Sequence, residues 1–129
     1  MAQAKTLSQA ELDQVLNYVS TKKYALRDRA IILTSFLGGL RVAEIASLKM
    51  GNVVNPDGTI KNEIRLSAEQ TKGKYPRTVF VSQRLQTELA NYLTTRHVKG
   101  TDIPFFHTDN RLGFSGNGLC VWFLSLIHI

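Results

Sequence analysis

The amino-acid sequence predicts an α+β fold, mostly helical, with a small antiparallel β-hairpin. Apolar residues recur at helical spacing in two places, Leu12 to Val19 and Leu85 to Leu93. Between them Ile64 and Leu66 alternate with charged residues, and Thr78 to Val81 is a β-branched and aromatic run suited to a return strand. The stretch joining those runs, Thr71 to Pro76, holds a glycine and a proline, as a hairpin loop does.

Each element has its own local signal. Ser8 followed by Glu11 is a capping box, and Leu12, Val15, Leu16 and Val19 then form one helical stripe. Tyr18 and Tyr92 fit helix packing, whereas Tyr75 fits a loop. Tyr24 to Leu37 opens with Arg27, Asp28 and Arg29 and becomes nearly all apolar, which predicts a central helix covered on most sides. Gly38-Gly39 ends it by permitting backbone angles that a Cβ disfavours. Arg41 to Lys49 is expected to form a third, short helix, and Asn55-Pro56-Asp57-Gly58 a turn. Ser82 can cap a helix with Leu85, Leu89 and Leu93 as its buried seam. Gly100 to Asp102 breaks that helix, Pro104 to Phe106 is a short apolar piece, and His107 reads as a core-edge histidine. Ser115 is a candidate start for a last helix.

At 129 residues the chain fits one ordinary domain. Its net charge of +6 favours an anionic partner. The distribution is more telling: between Lys61 and Lys99 eight basic residues face three acids, close to the whole excess. Such concentration fits nucleic acid better than a generic solvated surface. Cys120 is the lone cysteine and the three histidines are scattered, so neither a disulfide nor a metal site is expected. The apolar stretch from Ala30 to Leu37 is too short to span a membrane and is interrupted by Thr34 and Ser35. A reducing, cytoplasmic setting is the default.

Arg41 is the first candidate for chemistry. It follows a glycine turn at the mouth of a helix, and its planar fork of donors can bond two phosphate oxygens at once. The plain structural alternative is a surface ion pair with Glu44, three residues on. Glu44 would repel a phosphate, so its useful role is to orient a neighbouring basic group. Lys72, on the hairpin tip, could donate a proton to a leaving 5′ oxygen, with Lys74 equally placed by spacing alone. Lys74, Arg77 and Tyr75 complete a DNA-binding set, Lys74 and Arg77 on flanking phosphates. The alternative for this tip is a charged edge that prevents strand pairing.

Gly39 to Leu48 (Gly-Leu-Arg-Val-Ala-Glu-Ile-Ala-Ser-Leu) closely resembles the first conserved box of the tyrosine recombinase (phage integrase) family. Lys72-Gly73-Lys74-Tyr75-Pro76-Arg77 falls where that family carries its β-hairpin lysine, and the Pro104 segment follows in the expected order. The resemblance implies that Arg41 is the first catalytic arginine, Glu44 its supporting acid and Lys72 the hairpin lysine, with Lys74 the alternative. It implies site-specific DNA recombination or integration, by strand cleavage and rejoining through a 3′-phosphotyrosine link, without metal or nucleotide cofactor.

Two parts of the family pattern are missing from these 129 residues: no His-x-x-Arg occurs, and no tyrosine follows Tyr92 to act as nucleophile. Residues 1–123 therefore read as a partial catalytic domain, inactive alone although its parent is an enzyme. Leu124 to Ile129 resembles translated adaptor sequence, so 124–129 are expected to be a non-native tail. The implied partner is double-stranded DNA, bound in the cytoplasm at the nucleoid, with the parent assembling as a tetramer and no membrane contact. The alternative function is a non-enzymatic helix-turn-helix DNA-binding module over Gly38 to Val54.

Overall fold

The computed structural model describes residues 8–71, 73–96, 100–107, 118, 119 and 122. The named elements run in the order α1 (Gln9–Val19), α2 (Ala25–Gly38), α3 (Val42–Ala46), α4 (Met50–Val53), β1 (Glu63–Leu66), β2 (Arg77–Phe80) and α5 (Gln83–Leu93). This is the expected order of helices, an antiparallel hairpin and a helix.

The capping box of α1 forms in both directions: Glu11 N donates to Ser8 Oγ at 3.1 Å and Ser8 N donates to Glu11 Oε1 at 3.0 Å. Leu12, Val15, Leu16 and Val19 are buried as their spacing predicts. Tyr18 departs from expectation. It lies off that stripe, 39% exposed, with Lys22 Nζ 4.4 Å from its ring centroid.

Helix α2 is the centre of the molecule, packed on α5, α1 and α3, with Ala30 to Thr34 buried. Gly39 caps it at φ 71°, in the left-handed region, and its N–H donates to Ser35 O at 3.0 Å. That cap turns the chain directly into Arg41.

Helix α3 is shorter than the sequence suggests. It stops at Ala46 because the chain pairs with a distant segment instead. Lys49 is extended and bridges Pro104, Met50 N donates to Ile103 O at 2.8 Å, and Phe105 N donates to Leu48 O at 2.9 Å. Strand ladder bonds replace the next helical turn.

In the hairpin, Ile64 faces Val79 on the buried side, while Arg65 faces Thr78 outward. Ser82 caps α5, its Oγ accepting from Leu85 N at 3.2 Å. Leu85 and Leu89 are buried as expected, but Tyr92 takes the third core position and Leu93 is half-buried at its margin. The Tyr92 hydroxyl donates to Phe105 O at 2.9 Å and accepts from His107 N at 3.2 Å. Burial pushes its phenol up to about 12. His107 sits half-buried between the rings of Tyr24 and Tyr92, the core-edge place predicted for it. Ser115, Cys120 and the expected boundary after residue 123 lie outside the described residues.

Candidate functional site

Arg41 is the residue before α3, in extended backbone (φ −75°, ψ 156°). The Gly39 cap before it and the start of α3 after it fix where its side chain leaves the chain. The side chain is half-buried, and among the described residues its guanidinium makes no hydrogen bond or ion pair. The surface pair between Arg41 and Glu44 does not form. Instead the Arg41 backbone N–H donates to Glu44 Oε1 at 2.9 Å.

Glu44 is 1% exposed, and its counter-charge is Arg77, the first residue of β2, with Nη2 3.1 Å from Oε1. The same Nη2 donates to Gly39 O at 3.0 Å. One terminal nitrogen of Arg77 thus bridges the cap of α2 and the acid of α3. Two atoms of this pair, Glu44 Oε2 and Arg77 Nε, are buried without a partner. Glu44 therefore pairs with a basic group from another element, Arg77.

The other foot of the hairpin loop is also tied to α3. Gln70 Nε2 donates to Ser47 O at 3.1 Å and to Asn52 Oδ1 at 3.1 Å, while Gln70 Oε1 accepts from Ser67 N at 2.9 Å. Buried Thr71 donates from Oγ1 to Tyr75 O at 2.7 Å, and Lys74 N donates to Thr71 O at 3.3 Å. The tip itself is in solvent: Gly73 to Pro76 are exposed, Tyr75 at 77%. Lys74 stands at φ 64°, a strained conformation for a side chain with a Cβ. Lys72 lies outside the described residues.

The structure therefore brings Arg41, Glu44 and Arg77 together, with Lys74 and Tyr75 on the loop that leaves Arg77. Sequence reasoning missed Gln70, Ser47 and Asn52, whose polar contacts follow no helical or strand period. The helix-turn-helix alternative finds little room here. Helix α3 has five residues and α4 four, and Glu44 and Ile45 of α3 are buried rather than presented to a groove.

The phage integrase family model matches residues 5–112. The chain belongs to the phage integrase family. Its relatives among the tyrosine recombinases include XerA of Pyrococcus furiosus, 31% identical over 107 residues that make up 83% of this chain and 34% of XerA. Transposase A from transposon Tn554 of Staphylococcus aureus is 26% identical over 120 residues, 91% of this chain and 32% of the transposase. A crystal structure of XerA recombinase superposes with a TM-score of 0.70 at 19% identity, covering 99% of this chain and 42% of that one, and so shares the fold. The chain spans about a third of the length of these curated relatives. Family membership and shared fold agree with a partial catalytic domain of a tyrosine recombinase.

Proposed function

We propose that this chain supplies the arginine, acid and hairpin-lysine part of a site that cleaves and rejoins a DNA strand in site-specific recombination. The observation that carries this reading is the Arg41 turn. A guanidinium without a partner among the described residues extends from a backbone held by Glu44, beside the strand whose loop bears the basic tip.

The chemistry follows from charge. During attack on a phosphodiester, negative charge gathers on the non-bridging oxygens, and Arg41 answers it with two parallel donors. The covalent step joins a tyrosine oxygen to phosphorus and breaks the bond to the 5′ oxygen, which takes a proton. Lys72 is the proposed donor, with Lys74 the alternative. The phosphotyrosine link conserves the bond for rejoining without ATP. The nucleophile and the His-x-x-Arg box are not among these 129 residues, so this chain alone does not complete the reaction. Double-stranded DNA is the proposed partner, and tetramer assembly on paired sites in the cytoplasm, at the nucleoid, belongs to the same reading. Among the described residues no helix is long and apolar enough to cross a membrane.

A nicked suicide duplex tests the proposal in the reading frame that contains this stretch together with the missing box and tyrosine. The parent should trap a covalent adduct with the DNA. Arg41→Ala and Lys72→Ala should each lower its formation by about 10²-fold or more while much of the DNA affinity remains. An Arg41→Ala protein that forms adduct at the parental rate overturns the reading. A helix-turn-helix module would instead bind a specific sequence without an adduct and would tolerate Lys72→Ala.

A further inference from the structure

We propose that Arg77 is a positioning residue for Arg41 and not itself a phosphate contact; the inference rests on the DNA-strand reading above. A closed circuit of contacts surrounds the Arg41 turn. Gly39 O accepts from Arg77 Nη2, the same nitrogen pairs with Glu44 Oε1, and that oxygen accepts from Arg41 N. The backbone from Gly39 to Arg41 closes the ring. Arg77 Nη2 is thus engaged inside the protein, by a hydrogen bond to Gly39 O and an ion pair with Glu44 Oε1. Its Nε is buried as well, while the side chain keeps 36% of its surface in solvent.

The consequence is a shared reference. Arg77 opens β2 and is paired with Leu66 of β1, so its guanidinium ties the hairpin to the turn that aims Arg41. A shift of the hairpin must pull on Gly39 and Glu44, and a shift of the Arg41 turn must pull on the hairpin. Nothing in this circuit uses the Arg41 guanidinium, which stays available for a ligand. The unpaired Glu44 Oε2 and Arg77 Nε are an acceptor and a donor on the same two side chains, leaving the tie one unused contact.

A double-mutant cycle on this chain separates positioning from direct contact. The probe is a fluorescein-labelled duplex of random sequence, read by anisotropy across a salt series. Arg41→Ala and Arg77→Met should each weaken binding roughly tenfold, and the double variant should bind no more weakly than either single one. Arg77→Lys, which keeps the charge and one donor, should recover part of the loss. If the two losses multiply, Arg77 holds a phosphate independently and the proposal is overturned.

Arg77→Met leaves the Glu44 carboxylate buried without its counter-charge, so it can unfold the chain. The cycle is then run in a Glu44→Gln background, which removes that charge and keeps an acceptor for Arg41 N. If the wild-type chain does not bind the duplex, it is the DNA reading that fails. Hydrogen exchange at the Arg41 amide then decides the tie: faster exchange in Arg77→Met/Glu44→Gln than in Glu44→Gln supports it, and equal rates overturn it.

Discussion

Among the described residues, two buried carboxylates are each paired with an arginine, and the pairs are built differently. Asp28 and Arg27 are neighbours in α2, 5% and 7% exposed. Arg27 uses all three nitrogens: Nε and Nη2 reach Asp28 Oδ1 at 2.8 Å, and Nη1 reaches His107 O at 3.1 Å. Its guanidinium also lies 4.5 Å from the Tyr24 ring centroid. Glu44 and Arg77 come from different elements, meet through one contact and leave a buried atom unpaired on each side. The first pair fastens the segment after Pro104 to α2. The second joins the turn that carries Arg41 to the strand that follows the loop of Lys74. A pair with all three guanidinium nitrogens engaged belongs to the fold, and one with contacts in reserve belongs beside a site that receives a ligand.

Breaking each pair should therefore register in a different measurement. Asp28→Ala removes the counter-charge of buried Arg27 and should cost about 3 kcal/mol of stability in urea denaturation, with DNA affinity unchanged at temperatures where the variant stays folded. Glu44→Gln keeps an acceptor for Arg41 N and should cost only about 1 kcal/mol, yet it should weaken duplex binding more than Asp28→Ala does. If both variants lose stability and binding in the same proportion, the distinction fails.

The Tyr92 hydroxyl sharpens the picture of what fastens the Pro104 segment. Tyr92→Phe removes the bonds to Phe105 O and His107 N and should cost about 1 kcal/mol at neutral pH. The wild type should also lose stability in alkali. Its phenol is pushed up to about 12 in the fold against an ordinary 10.0, so the unfolded chain releases the proton first. This contribution is whole below pH 10 and fades as pH rises toward 12, a slope that Tyr92→Phe should lack. The smallest effect is expected at Lys74, where relief of the positive φ by Lys74→Gly should stabilise by less than about 1 kcal/mol, since glycine also frees the unfolded chain.

Much of this was legible because local rules dominated. The caps at Ser8 and Ser82, the stripe from Leu12 to Val19 and the alternation at Ile64 and Leu66 need only neighbours in sequence. What was not legible depends on residues brought together from far apart. Helix α3 ends early because Leu48, Lys49 and Met50 pair with residues 103–105. Glu44 passes over the Arg41 side chain for an arginine more than thirty residues away, which spacing does not encode. Arg41 was legible as a motif, while the circuit that aims it was not.

The claim beneath these readings is that the Arg41 guanidinium is held open to grip a DNA phosphate. The most direct measurement is the salt dependence of duplex binding by the wild-type chain and Arg41→Ala. Removing one phosphate contact should reduce the slope of log K against log salt by about 0.9 and weaken binding similarly for unrelated sequences. An Arg41→Ala chain with the parental slope and affinity would contradict the account.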